Sequence, residues 1–410
     1  MEQTFKLLSK EHHSWLTLRC RALVHYFFSQ IDNGVLHIIE GNERFRFGRQ
    51  PENAEPLTAT LVVNDLAVYQ QFIRGGSIGA AEAYMDEKWQ TDNLTNVIRF
   101  FVRAQKVTDR VEKYFSWISA AKNKIFHRKR GNSVQGSKEN ILAHYDLGNE
   151  LFGQFLDQEM AYSSAVFADE SQTLDDAQLN KFKTICDALA LQPEDHLLEI
   201  GTGWGGLAIY AAQHYGCKVT TTTISDAQHA YAEARIKDLG LQEQITLLKK
   251  DYRLLTGQYD KLVSVEMIEA VGYEHLNTFF KQCDALLKPQ GKMLLQAITI
   301  ADQRLKHYLN NVDFIQRYIF PGGFLPSVTL LTERLTKNTR MVTESISDIG
   351  LDYARTLNHW HQRFMENWPH ICQHGYDDRF KNLWQFYLCY CEGAFMERAT
   401  STVHFVARKY

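Results

Sequence analysis

The sequence predicts an α/β protein, built on an open, mainly parallel sheet with helices on both faces and preceded by a small α+β domain. Three observations predict it. Apolar runs alternate with amphipathic stretches from residue 176 to residue 299, a glycine-rich turn follows the first of those runs, and short strand-like pieces cluster between residues 35 and 63.

Taken in order, VLHIIEG, RFRFGR and LTATLVV are separated by Gly, Asn and Pro, as strands of a small sheet are. DLAVYQQFIRGG reads as helical, and GSIGAAEAYMDEKW continues as helix or loop. LTNVIRFFVRAQKVTDRVEKYFSWISAAKNKIF carries apolar residues at every third or fourth place, as one or two amphipathic helices do. Residues 122–140 are first cationic (Lys122, Lys124, Arg128, Lys129, Arg130) and then rich in Gly, Ser and Asn, a linker signature. Such a run is either a solvated connector or a segment drawn to an anionic bilayer surface. Beyond it, DAQLNKFKTICDALAL is a helix, HLLEIG a strand, GGLAIYAAQHYG a helix and CKVTTTTIS a strand. DAQHAYAEARIKDLG follows as a helix, ITLLKKD and YDKLVSVEM as strands, HLNTFFKQCDALLK as a helix and GKMLLQAIT as a strand. Residues 300–410 are mostly helical and aromatic-rich, and read as a cap and closing elements on the sheet. The expected domains are 1–121, a basic linker 122–140, and a catalytic domain 141–410.

Composition narrows the function. A chain of 410 residues has room for two cores, and 45% hydrophobic with 23% charged residues is ordinary for a folded protein. A net charge of -3 suggests no nucleic-acid partner. Seven cysteines lack metal-type spacing, so no metal site is expected. Their odd number, and a start without the apolar core of a signal peptide, point to a reduced cytoplasmic setting. No run approaches the roughly 20 apolar residues that span a bilayer.

The turn LLEIGTGWGGL (197–207) carries the chemistry. A dinucleotide fold would need G-x-G-x-x-G and a later acid for the ribose; here the third glycine falls one place early and the next strand ends TTTTIS. A phosphate-cradling Walker loop would need a Gly-Lys-Ser/Thr that is missing. With its strand and helix, EIGTGWGG instead resembles the opening of an S-adenosylmethionine-dependent methyltransferase, whose cofactor carries no phosphate. Gly201 and Gly203 are then needed because a Cβ would collide with the aminoacyl part.

HYDLGNELF (144–152), YSSAVF (162–167), EIGTGWGG (199–206), TTTISDAQ (221–228), KKDYR (249–253), EMIEAVG (266–272), YIFPGGFLPS (318–327) and CEGAF (391–395) occur in that order. This series resembles the cyclopropane-fatty-acyl-phospholipid synthases and their mycolic-acid relatives over about 140–410. RGGSIGAAEAYMDEKW (74–89) is similar to the amino-terminal domain of the bacterial synthases. The resemblance implies a class I, Rossmann-like methyltransferase fold with a helical cap and an α+β amino-terminal domain associated with lipid. It also implies a homodimer, and a peripheral place on the inner face of the membrane, where a bilayer supplies unsaturated acyl chains. By matching position, Tyr162 and Ser163 would lie near the cofactor, Gly201, Gly203 and Trp204 under its aminoacyl group, and Thr223, Ile224 and Gln228 against its ribose and aminoacyl part. Asp251, Tyr252 and Arg253 would lie at the adenine edge.

The family adds a methyl to a cis double bond; a base then strips a proton from it and the ring closes. A bicarbonate ion is that base, gripped at positions corresponding to Ser164, Glu269, Gln296 and Tyr353. Glu269 and Tyr353 are retained, but Ser164 replaces a cysteine and Gln296 a histidine, and Ala270 stands where a histidine usually follows the glutamate. Gln296 offers only a neutral amide, so bicarbonate binding is doubtful. A serine hydroxyl at Ser164 could still bond an anion. Glu266, where the family usually has glycine, is expected to replace bicarbonate as proton acceptor. Cys391 matches a family cysteine considered for catalysis, although the chemistry needs no covalent nucleophile.

The expected function is methyl(ene) transfer to the cis double bond of phospholipid acyl chains, as in cyclopropane fatty acid synthesis. A methyl-branched or methylene product from the same site is the near alternative, because the base has changed. A non-catalytic lipid-binding homologue, or methylation of a small soluble substrate, is the distant one.

Overall fold

The computed structural model describes residues 14–52, 55–104 and 148–410. The chain divides into two units, one comprising Met1–Arg128, Asn311–Phe314 and Trp368–Ala399, the other Lys129–Asn310, Ile315–Asn367 and Thr400–Tyr410. The basic linker and the start of HYDLGNELF lie outside the described residues.

In the first unit, α1 (Trp15–Phe28) is a helix the sequence reading did not anticipate, capped by Ser14, whose hydroxyl accepts from the Thr17 N–H. β1 (Gly34–Glu40) and β2 (Glu43–Arg49) form a hairpin, while β3 (Thr58–Val63) runs parallel to β1. α2 (Val68–Met85) absorbs both the helical and the helix-or-loop stretches, kinking at Gly76 where φ is 52°. β4 (Trp89–Gln90) completes the sheet order β2-β1-β3-β4 before α3 (Leu94–Arg103).

The second unit opens with α4 (Gly148–Gly153) and α5 (Leu174–Leu189), then alternates: β5 (His196–Ile200), α6 (Gly206–Tyr215), β6 (Lys218–Thr223), α7 (Asp226–Asp238), β7 (Ile245–Lys249), β8 (Tyr259–Val265), α8 (Leu276–Leu286) and β9 (Leu287–Ile300). Each lies where the alternation predicts it. The short helices α9 (Asp302–Tyr308) and α10 (Phe314–Tyr318) and the longer α11 (Val328–Asn338) precede β10 (Met341–Asp348) and α12 (Gly350–Ile371). The sheet order is β10-β11-β9-β8-β5-β6-β7, with β11 at Thr400–Lys409. From β9 to β7 neighbouring strands are parallel, whereas β11 runs antiparallel to β9 and β10 antiparallel to β11. Buried side chains fill both faces, one layer around Phe279, Phe280 and Leu295, the other around Phe182, Leu207 and Leu294.

Residues 368–399, assigned from sequence to the catalytic domain, belong to the first unit. Their helix α13 (Asp378–Met396) places Gly393 so close to α3 that an added Cβ would stand 2.8 Å from Ile98. Glu397 just beyond it accepts from Arg99 and Arg103, each at 2.7 Å. Sequence periodicity marks an apolar helix but not which core it fills.

Candidate active site

The ends of β5, β6 and β7 collect the predicted cofactor residues. Gly201, Gly203 and Gly205 have φ of +104°, +53° and +93°, the left-handed region that glycine enters without penalty. A Cβ on Gly203 would meet no protein atom within 4 Å, and one on Gly201 only the Met267 side chain at 3.4 Å or more. Backbone conformation requires these glycines, and the space beside them is an open cradle that a side chain would fill. Such a cradle lets a cofactor approach the backbone of the turn closely.

Trp204 is buried, donating from Nε1 to Asn149 at 2.8 Å. Tyr162 packs on Phe152 at 5.1 Å and lies nearly parallel to Trp360 at 5.2 Å. Ser163 is buried, its hydroxyl accepting from Lys181 at 2.7 Å. At the end of β6 the Thr223 hydroxyl donates to Gln228 at 2.9 Å, with the partly exposed Ile224 between them in sequence. At the end of β7 the Asp251 carboxylate accepts from the Arg253 guanidinium at 2.8 and 2.7 Å. Burial works to raise that carboxyl, but the hydrogen bonds from Arg253 bring it below its ordinary value. Tyr252 packs edge-on to Phe279, and its buried phenol oxygen has no hydrogen-bond partner.

A second cluster forms around Glu266, directly after β8. Its backbone takes φ +48°, uncommon for a non-glycine residue. Oε1 accepts the Ser164 main-chain N–H at 2.9 Å and the Gln296 amide at 2.8 Å, and Oε2 accepts the Tyr353 hydroxyl at 2.8 Å. Burial raises the Glu266 carboxyl, opposed by these three donors and by Lys181. Glu269, on a turn three residues on, accepts the Ile298 N–H at 2.6 Å; its other oxygen is buried without a partner. Burial, with the neighbouring Glu266 charge, pushes Glu269 up to about 8. Both glutamates keep some accessible surface although protein closes round them, so they line a recess. Trp360 is fully buried behind Tyr353, standing edge-on to it at 6.0 Å.

The Ser164 hydroxyl donates to the Ala165 carbonyl at 2.9 Å, so the main-chain N–H, rather than the expected hydroxyl, meets the carboxylate. With Ser164, Gln296 and Tyr353 already donating to Glu266, and two carboxyl groups adjacent, the residues present do not fit a bicarbonate ion. Cys391 lies in the first unit on α13, with burial raising its thiol well above the ordinary value.

Three residues here escaped the sequence reading. His404 of β11 stands opposite Gln296 of β9 in register, its Nε2 2.9 Å from the amide oxygen. Burial, and then Lys181, push His404 down to about 4, so the neutral ring donates and the Gln296 NH₂ is left facing Glu266. Glu199, next to last in β5, is pushed up to about 8 by burial while accepting from Thr221 at 2.6 Å. Lys181 of α5 is fully buried. The acid closing LLEIG and the histidine within an apolar strand were visible signals; Lys181 gave none.

A family profile described as mycolic acid cyclopropane synthetase matches residues 132–405. The cyclopropane-fatty-acyl-phospholipid synthase of Escherichia coli (strain K12) is 38% identical over 344 residues, covering 83% of this chain and 85% of that protein. The tuberculostearic acid methyltransferase UfaA1 of Mycobacterium tuberculosis is 35% identical over 350 residues, covering 83% and 81%. Among solved structures, mycolic acid cyclopropane synthase CmaA1, complexed with SAH and CTAB, superposes with a TM-score of 0.62 at 27% identity, over 66% of this chain and 98% of that one. These likenesses support S-adenosylmethionine-dependent methyl transfer to lipid. The chain belongs to the mycolic acid cyclopropane synthetase family and is an S-adenosylmethionine-dependent methyltransferase.

Proposed function

We propose that this enzyme alkylates the cis double bond of an unsaturated phospholipid acyl chain at the inner, cytoplasmic surface of a bilayer and closes a cyclopropane ring, with Glu266 as the proton acceptor. One observation carries the reading: a single carboxylate receives the Ser164 N–H, the Gln296 amide and the Tyr353 hydroxyl at 2.8–2.9 Å. S-adenosylmethionine, when bound, supplies an electrophilic methyl group that the alkene's π electrons can take. Gly201, Gly203 and Trp204 hold its aminoacyl end, Tyr162 and Ser163 border it, Thr223, Ile224 and Gln228 take the ribose, and Asp251, Tyr252 and Arg253 the adenine edge.

Methylation leaves a carbocation on the acyl chain. The accessible side of the Tyr162 ring, whose other side stacks on the buried Trp360, stabilises that charge and keeps water from trapping it. Glu266 then removes a proton from the added carbon; the released C–H electron pair forms the second bond of the ring, and Glu266 becomes the neutral acid. Glu269, neutral through its raised pKa, keeps a second anion away from Glu266. No helix among the described residues is long and apolar enough to cross a membrane.

A methyl-branched product is the second reading, favoured by the likeness to a tuberculostearic acid methyltransferase. Expression in a host lacking its own synthase, followed by proton NMR of the purified fatty esters, tests both. An upfield cyclopropane methylene signal supports ring closure; a methyl doublet or exomethylene signal without it selects branching. Unaltered lipids, with intact cofactor binding, would refute the lipid assignment.

A further inference from the structure

Lys181 has no exposed surface and donates from Nζ to the Ser163 hydroxyl at 2.7 Å. Among the described residues it makes no ion pair within contact distance, although four titratable groups from four other segments face it. These are Asp157, ahead of the YSSAVF segment, Glu199, next to last in β5, Glu266 after β8 and His404 on β11. Glu266 in turn faces Glu269, the Tyr353 hydroxyl, the Gln296 amide and the Ser164 N–H. An ammonium buried with a neutral hydroxyl and no anion in contact is expensive, and an apolar residue of similar size would suit a purely structural position better.

We propose that Lys181 is a positioning residue for Glu266, its ammonium holding that carboxyl as the anion that accepts the substrate's proton; this rests on the reading of Glu266 given above. Burial alone favours the neutral acid, which can accept nothing. A lysine in direct contact would occupy a carboxylate oxygen and weaken it as a base. At a distance, the charge favours the anion without adding a fourth donor, so Oε2, which accepts only the Tyr353 hydroxyl, keeps a lone pair for the proton, since Coulomb attraction outlasts hydrogen-bond contact. The other neighbours modulate this field. Burial pushes Glu199 up to about 8, so it is mostly neutral near pH 7. Asp157 is pushed by burial to about 6 and offsets part of the ammonium's effect. His404 remains uncharged and adds none. Lys181 itself is lowered by burial to about 8, leaving most of it cationic at neutral pH.

Lys181→Met keeps the side-chain length and removes the charge. The acid limb of the kcat–pH profile should move at least one pH unit upward, giving a loss that reaches about tenfold per unit on the acid side of the limb and is recovered in alkaline buffer. Asp157→Asn, which removes the competing anion, should move the limb the opposite way. Infrared spectroscopy, with the Glu266 band assigned by Glu266→Gln, should find a neutral carboxyl near pH 7 in Lys181→Met but not in the parent, whether or not the variant turns over. If the limb stays in place in both variants, or if Lys181→Met only raises the cofactor KM, the proposal is overturned and Lys181 serves Ser163 instead. Full turnover by Glu266→Gln would sink the reading of Glu266 itself. Lost turnover there, with an unmoved limb in Lys181→Met, would sink the Lys181 proposal alone.

Discussion

Replacing Glu266 by glycine separates the carboxylate from the backbone that presents it. At φ +48° glycine adopts the same conformation without strain, so the turn after β8 should keep its path. What disappears is one carboxylate, and with it a general base worth about 10²–10⁴-fold in turnover. What remains is its seat: the Ser164 N–H, the Gln296 amide and the Tyr353 hydroxyl, still directed at the vacated position. Three hydrogen bonds to an anion contribute about 1.5–3 kcal/mol each. Set against an association cost of at least about 4 kcal/mol, they leave no more than about 5 kcal/mol, so a small planar anion binds in the sub-millimolar range at best. Bicarbonate, unfitted to the parent site, should therefore restore much of the lost turnover in Glu266→Gly. The assay is methyl transfer to vesicles of a cis-unsaturated phospholipid in carbonate-depleted buffer, with and without added bicarbonate, on protein checked for folding by thermal melting. Undiminished turnover in depleted buffer would refute the role of Glu266. A dead, folded variant that no small carboxylate revives would refute the seat.

The buried histidine gives a stability prediction with a definite sign. His404 is held at about 4, below its ordinary 6.5, so between those values the unfolded chain binds more protons; the native state loses stability as pH falls through that window. The loss near pH 5 should be about 2 kcal/mol by urea unfolding, and His404→Gln should abolish it; equal acid sensitivity in both proteins would contradict the assignment. Gly203→Ala should leave the protein folded with about 1 kcal/mol of backbone strain, because no protein atom obstructs the new methyl. Cofactor affinity by calorimetry should nonetheless fall at least tenfold, and unchanged affinity would remove Gly203 from the binding site.

The alternation of elements from 176 to 299 was legible because each obeys a local rule. β-Branched runs such as KVTTTT are buried strands, and Ser225 ahead of DAQH caps a helix. The glycine turn was legible for the same reason, its backbone demand being written in residue type. What could not be read depends on contacts remote in sequence. α13 packs with α3, which lies roughly three hundred residues away. Tyr353 reaches Glu266 across 87 positions, and Gln296 reaches it across 30. Glu266 stands out in the sequence by departing from the family pattern; Ser164, Gln296 and Tyr353 match the positions that grip a separate ion in the family, and nothing in the sequence pairs them with Glu266. Lys181 looks like any solvated helix lysine in QLNKFK, because burial is a property of the packed sheet and not of the word.

A base carried on a side chain differs from one borrowed from solution in a way that bears on product. Bicarbonate can shift within its seat as the acyl chain settles, whereas the Glu266 carboxylate is tied on both oxygens and through its backbone N–H to the Gln296 carbonyl at 2.8 Å. Its reach is therefore set by the protein. Whichever hydrogen of the methylated chain lies within that reach is removed: one from the new carbon closes the ring, one from the adjoining chain carbon leaves a methyl branch. Shortening the side chain by one methylene, in Glu266→Asp, draws the carboxylate back by about one carbon–carbon bond without changing its chemistry. If reach selects the proton, the variant should be slower, and its ratio of cyclopropane to branched ester, read by NMR, should differ from the parent's. A slower variant with the parent's ratio would place the choice in the conformation of the acyl chain, and the fixed carboxylate would then govern rate alone.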